Sequence, residues 1–291
     1  MLPQRNTTKT DILKVSRGQV APASDVLAAE EPMEIRLAWQ EDDRPVEQSI
    51  SITMRTPGND FELAAGFLFT EGVVPGRYAI ADINYCMDAP SEQQFNVVSV
   101  VLKPGVTFDS SKLLRHFYTN SSCGVCGKAS LESLRVLGCS PLTADEFAVN
   151  EETLYQLPQR LRQAQQVFQR TGGLHAAALF DREGNLVGLH EDVGRHNAVD
   201  KLIGEQLLAD QLPLSDRMMM VSGRASFELV QKALVARVPF LAAVGAPSSL
   251  ALDLAREFGM TLVGFLRGDS FNVYACEHRI ISSGSHLSAV P

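Results

Sequence analysis

Long apolar runs, abundant cysteine and excess positive charge are what this sequence has least of. No stretch of its 291 residues approaches the roughly 18–20 uninterrupted apolar positions of a spanning helix, so no membrane span is expected. Five cysteines in so long a chain do not make the disulfide framework of a small secreted fold, and reduced, cytoplasmic thiols are the expectation. A formal net charge of −8 argues against general affinity for nucleic acid or anionic membrane, because phosphate attracts a basic excess. A local basic pocket for one phosphorylated ligand stays open. The first 30 residues lack the continuous apolar run of a secretory signal and read as a flexible polar leader. There is no internal repeat and no low-complexity tract.

What is present is a change of rhythm along the chain. From Met33 to Met54 the pattern suggests two strands around the polar turn Glu41–Pro45. Asn59 or Asp60 then offers an N-cap to a helix carrying Leu63, Gly66, Phe67 and Thr70, with Gly72 as a stop. A second β section ends in the apolar run Phe95–Leu102. Leu157, Leu161, Ala164 and Phe168 mark a helix begun by Pro158 near its first turn and closed by Gly172-Gly173. A hairpin turning at Asp181–Asn185 follows, and then helices (from Ala198, Phe227 and Leu250) alternate with strands (RMMMVSG, PFLAAVGA, MTLVGFLR). That alternation predicts an α/β layer with a mostly parallel central sheet. The expected organisation is a leader (1–30), a smaller mixed α+β lobe (31–115), an α/β lobe (116–284) and a tail (285–291).

Ligands of open α/β sheets gather at the carboxyl ends of the strands. Three such ends here read HEDVGRHN (His190–Asn197), SGRAS (Ser222–Ser226) and FLRGDS (Phe265–Ser270). Each carries an arginine (Arg195, Arg224, Arg267) beside Gly, Ser or Asp, a combination suited to phosphate. Ser226 or Ser249 is a candidate helix cap. The bland reading is equally available, since Arg and Gly are commonplace in loops. His190, Glu191, Asp192 and His196 are conceivable metal ligands. A deaminase-type zinc site, however, needs His-x-Glu followed by Pro-Cys-x-x-Cys. His175-Ala176-Ala177 lacks the glutamate, and the CxxC precedes it behind Ser122. No bound metal is expected. Pocket candidates are therefore His190, Asp192, Arg195, His196, Ser222 and Arg224.

The CxxC itself, Cys123 and Cys126 in SSCGVCGK, fits three chemistries. Structural zinc wants four ligands, and Cys86, Cys139 and Cys276 are isolated singles. A thioredoxin-type pair follows a hydrophobic strand, whereas Cys123 follows the polar HFYTNSS. A glycine-flanked loop displaying thiols beside Lys128 suits a thiolate that attacks a donor persulfide. Residue chemistry alone leaves these open.

The segments TPGNDFELAAGFLFTEG, SSCGVCGKASL, TGGLHAAALFD, HEDVGRHNAVDKLIG, SGRASFELVQKALVARVP and LVGFLRGDSFNVY, in that order, resemble the formate dehydrogenase accessory sulfurtransferase family (FdhD/NarQ), from about Glu34 to Ile281. The resemblance implies a sulfurtransferase of the cytoplasm that accepts persulfide sulfur from a cysteine desulfurase. It implies delivery to the molybdenum bis-guanine-dinucleotide cofactor for formate dehydrogenase. It further implies a cytidine-deaminase-like three-layer α/β core and a homodimer. By motif the persulfide cysteine is Cys123 with Cys126 as partner, and the segment binding the guanine-nucleotide-type cofactor is Phe265, Leu266, Arg267, Gly268, Asp269 and Ser270. Two other readings are carried alongside. One is a non-enzymatic chaperone that binds the cofactor, the other a zinc-stabilised interaction module.

Overall fold

Two consecutive residues with positive φ, Arg17 (48°) and Gly18 (82°), bend the start of the chain into a hairpin. The computed structural model describes residues 6–42, 44–86, 94–106, 139–142, 147–282 and 285–286. Where the sequence suggested a polar leader, β1 (Thr7–Ser16) and β2 (Gln19–Ala28) pair antiparallel, Val15 opposite Val20. The signal was missed because Leu13 and Val15 stay exposed, leaving no buried face to read.

β3 (Glu31–Glu41) and β4 (Arg44–Arg55) form the expected antiparallel pair, with Met33, Ile35 and Leu37 alternating into the core. The helix α1 (Asp60–Thr70) follows, opened by Asn59 in the left-handed region and by no side-chain cap. With β5 (Ile80–Tyr85) and β6 (Val97–Leu102) these strands make a sheet ordered β4-β3-β6-β5. α1 packs Leu63 and Leu68 onto it.

The second half begins with β7 (Val149–Asn150), α2 (Glu151–Ala164) and α3 (Gln166–Thr171). The expected helix start at Pro158 is wrong, since Pro158 lies inside α2 and the chain breaks instead at Gln165. The apolar stripe was read from too late a residue, because Asn150 and the acidic Glu151-Glu152 already open the helix. Then come β8 (His175–Phe180), β9 (Leu186–Asp192), α4 (Arg195–Leu208), β10 (Met218–Val221), α5 (Phe227–Val235), β11 (Phe240–Ala243), α6 (Ser249–Phe258), β12 (Thr261–Arg267) and β13 (Ser270–Ala275). β14 (Ile280–Ser282) returns to pair with β7 and with β15 (Ser285–His286). Ser248 caps α6 by accepting from Ala251 N–H at 3.2 Å, one residue before the expected Ser249.

β8 to β13 form one sheet ordered β13-β12-β11-β10-β8-β9. The expectation of a mostly parallel sheet is corrected: only β10–β11 and β11–β12 pair parallel. Tight turns after β8 and β12 force their partners antiparallel, whereas α5 and α6 supply the crossovers that parallel strands need. Alternation along the strands splits the core in two. Met219, Val221, Leu241 and Ala243 face α4, α5 and α6, while Met218, Met220, Phe240 and Ala242 face α2. The result is a mixed α/β chain with helices on both sides of the central sheet.

Two helices lock the halves together through glycine. A Cβ on Gly66 of α1 would lie 1.9 Å from the Asp200 carbonyl oxygen, and one on Gly204 of α4 would lie 1.9 Å from that of Glu62. Backbone therefore rests on backbone. Beside this crossing, Lys232 of α5 reaches Asp200 at 2.9 Å, Glu71 at 3.0 Å and Thr70 Oγ1 at 2.9 Å. Burial opposes the Lys232 charge, yet the two carboxylates raise its pKa above the ordinary lysine value. A second buried pair, Lys201–Asp192 at 2.7 Å, is shared with Thr56, whose N–H donates to Asp192 and whose carbonyl accepts from Lys201. The TPGND segment is thus stapled to the corner between β9 and α4.

Candidate functional site

The carboxyl ends of β9, β10, β11 and β12 and the amino end of β8 share one edge of the central sheet, because β8 runs against its neighbours. Backbone bonds fix that edge. Ser222 N–H donates to the Ala176 carbonyl at 3.0 Å, Gly245 N–H to that of Gly223 at 2.9 Å, and Phe265 N–H to that of Gly245 at 3.1 Å. The expected strand-end arginines are spaced along it. The Arg224 stem lies on Gly245, where an added Cβ would be 3.0 Å from Arg224 Cγ. Arg267 Nε donates to the Val244 carbonyl at 3.3 Å. Arg195 opens α4 near His175, whose pKa it lowers.

A cleft of about 540 Å³ opens beside this edge, between the α2–α3 corner and the strand ends. Its floor is apolar, from Leu161, Leu174 and Val244, and Arg162, Phe168, His175 and Ser222 also line it. The Arg162 guanidinium sits 4.0 Å from the centroid of the Phe168 ring. Glu191 of β9 pins that wall by accepting from Phe168 N–H at 2.7 Å and Val167 N–H at 2.9 Å. Ser222 Oγ accepts from Ala176 N–H at 2.9 Å, which leaves its own proton to donate. Burial pushes the His175 imidazole below its ordinary pKa, Arg195 and His196 push the same way, and Asp192 opposes them. The lowered pKa favours its neutral form at pH 7.

FLRGDS forms a tight hairpin tip, with Arg267 paired to Ser270 and Gly268 (φ 54°) and Asp269 between them. β13 follows it directly and pairs antiparallel with β12. Phe265 holds φ 53° at an irregularity in β12 and keeps its ring 38% exposed, with Arg267 Cζ 5.5 Å from the centroid. An aromatic residue rarely adopts this conformation, and such outliers concentrate at functional edges.

Other expected residues point elsewhere. Leu266 is fully buried among the residues facing α2. Asp192 is fully buried, its oxygens taken by Thr56, Gly194, Asn197 and Lys201. His190 is buried against α4, 3.3 Å from Glu205 but poorly directed for a hydrogen bond. His196 is partly exposed, 3.5 Å from Ser226 Oγ and 3.8 Å from Glu228. Cys123 and Cys126 lie outside the described residues. Cys139 and Cys276 are half-buried, and burial raises both thiols, which makes them poor nucleophiles at neutral pH. Arg162 and Phe168 were read only as part of a helix, and His175 only as a failed metal ligand. The Gly172-Gly173 pair before His175 was the available sign of an open approach.

Among the described residues, no three His, Cys, Asp or Glu side chains are grouped to hold a metal ion, and no helix is long and apolar enough to cross a membrane. Comparison with known proteins extends this. The chain is 54% identical over 281 residues to the sulfur carrier protein FdhD of Streptomyces avermitilis, covering 95% of this chain and 96% of the relative. It is 42% identical over 273 residues to the protein of that name from Sulfurisphaera tokodaii, covering 94% and 98%. A crystal structure described as a formate dehydrogenase accessory protein of Desulfotalea psychrophila superposes with a TM-score of 0.72 at 25% identity, covering 95% of this chain and all of that one. A model of the FdhD/NarQ family matches residues 28–281, and the chain belongs to that family.

Proposed function

We propose that this protein carries sulfur to a nucleotide-bearing metal cofactor on behalf of formate dehydrogenase. The observation that carries this reading is the gathering of Arg195, Arg224 and Arg267 along one sheet edge beside an apolar cleft. That arrangement suits a ligand with phosphates and an apolar or planar body. The names of the relatives supply sulfur as the cargo.

In this reading the Cys123 thiolate attacks the outer sulfur of a persulfide on a cysteine desulfurase. The donor leaves as thiolate and Cys123 becomes a persulfide. The molybdenum bis-guanine-dinucleotide cofactor, the substrate, receives that sulfur while the arginine edge holds its phosphates. The Cys126 thiolate attacks the inner sulfur of the Cys123 persulfide, so a Cys123–Cys126 disulfide forms as the outer sulfur departs as hydrosulfide. Burial raises the thiols of Cys139 and Cys276, which counts against those two as the carrier. The protein works in the cytoplasm as a homodimer, on a deaminase-like α/β core without the deaminase zinc.

Incubation with a cysteine desulfurase and cysteine, followed by peptide mass spectrometry, is expected to show one added sulfur atom on Cys123. Cys123→Ala is expected to abolish formate dehydrogenase activation in cells. Full activation by that variant would refute sulfur carriage and favour a non-enzymatic cofactor chaperone instead.

A further inference from the structure

We propose that the β1–β2 hairpin is a docking arm for the apo-form of the formate dehydrogenase that this protein serves. The occupant it fits is a protein surface with an unpaired strand edge and carboxylates beside it. The proposal rests on the reading above and names the surface that brings the recipient to the ligand site.

The arm is fully formed and uncovered. β1 and β2 pair residue for residue from Thr7–Ala28 to Ser16–Gln19, a ribbon about 33 Å long. Strand alternation puts Leu13, Val15, Val20 and Pro22 on one face, because Leu13 lies opposite Pro22 and Val15 opposite Val20. Every residue from Leu13 to Pro22 is exposed, with Leu13 at 69%, Val15 at 67% and Val20 at 61%. An isolated two-stranded ribbon is marginal in water, and a contiguous apolar tip marks a contact surface.

Charge and backbone say what kind of partner fits. Lys14 and Arg17 are the only charged residues between Ile12 and Ser24, in a chain whose net charge is −8. The tip is thus a basic island on an acidic protein and complements carboxylates. A two-stranded sheet also presents N–H and C=O groups along both of its outer edges. A lipid surface does not satisfy such groups, whereas a partner's strand edge does, by strand addition. Two arms laid together would bring four positive charges into one interface, which electrostatics opposes.

The root of the arm says on which side the partner stands. The Asn6 carbonyl accepts from Ala29 N–H at 2.9 Å, β2 packs on α3, and Arg170 of α3 donates to Thr7 Oγ1 at 3.4 Å. The same short helix carries Phe168 in the lining of the cleft beside the arginine edge. The arm is therefore rooted on the cleft wall, and a protein that grips it is tethered to the ligand's side of the molecule.

The test is binding of the full chain to immobilised apo-formate dehydrogenase at two salt concentrations. The unaltered protein is expected to bind, and Val15→Ser with Val20→Ser to weaken binding about tenfold or more. Lys14→Glu with Arg17→Glu keeps the apolar pair and is expected to slow association about tenfold and remove most of its salt dependence. Molar mass by light scattering and persulfide loading of Cys123 by a cysteine desulfurase should stay unchanged in both. If both variants keep the native affinity, or the unaltered protein does not bind the apo-dehydrogenase, the docking arm is refuted while sulfur carriage stands. A lower molar mass in the variants would refute it in favour of a second copy on the arm. Binding to phosphatidylglycerol vesicles that the variants lose would refute it in favour of a lipid surface. If the unaltered protein takes up no sulfur, the sulfur reading falls and the docking arm with it. Hydrogen exchange along Thr7–Ala28 checks that the arm itself stays formed in each variant.

Discussion

Replacing Gly66 by alanine adds a single methyl group at the crossing of α1 and α4, and the structure fixes the sign of its effect. In a helix interior glycine to alanine ordinarily stabilises by about 1 kcal/mol. Here the new Cβ would stand 1.9 Å from the Asp200 carbonyl oxygen and 2.8 Å from Gly204 N, both backbone atoms that cannot rotate aside. The helices must part by roughly 1.5 Å to reach ordinary van der Waals contact. Overpacking of this kind costs about 1–3 kcal/mol or more, and separation also loosens the neighbouring Lys232–Asp200 pair. A net loss of about 2 kcal/mol is expected, read as a lower urea midpoint at unchanged m-value. Gly204→Ala should behave alike, because its Cβ meets Glu62 O at 1.9 Å. The double variant should lose less than the sum, since helices parted by one methyl already leave room for the other. Variants as stable as the unaltered protein would refute the account of this joint.

Lys232→Met strands the buried Asp200 carboxylate and the partly buried Glu71, and a loss of about 3–5 kcal/mol is expected in the same urea assay. Because the folded pKa of Lys232 is raised, its stabilising contribution should be complete below the ordinary lysine value of 10.5 and fade only above it, which alkaline unfolding curves can follow. His175 has the opposite sign. Its folded pKa lies below 6.5, so the unfolded chain takes the proton first and stability should fall as pH drops through 6.5. His175→Asn should flatten that limb, and an unchanged pH profile would count against the depressed pKa of the half-buried imidazole. Glu191→Ala removes two caps from α3 and should cost about 1–2 kcal/mol. Hydrogen exchange at the Val167 and Phe168 amides is the check, and unchanged protection there would argue against the pinned wall.

The α/β half was legible because its strands are short, uniformly apolar runs such as Met218–Val221, separated by helical stripes. Direction was not legible. Whether β8 runs with or against β10 depends on a partner 40 residues away, and the sheet proved mixed. The arginine edge could be read from strand ends, since topology places all such ends together. Leu266 could have been set aside by alternation, as it lies between the exposed Phe265 and Arg267. Asp192 could not. Nothing local announces that its oxygens are shared among Thr56, Gly194, Asn197 and Lys201. Arg162 and Phe168 were hidden for a related reason, because a helical stripe records which residues share a face and not whether that face meets core or cleft.

The mixed direction of the central sheet has a consequence for when the protein becomes competent. The edge that brings His175, Arg195, Ser222, Val244 and Arg267 together draws on five stretches of chain spread over more than ninety residues. No hairpin or βαβ unit contains enough of it to hold a ligand. Long-range strand pairing of this sort is slow, since loop closure precedes the contacts that reward it. Full ligand affinity should therefore be acquired only after β12 has joined β11, because a nascent chain stalled before residue 261 lacks Arg267.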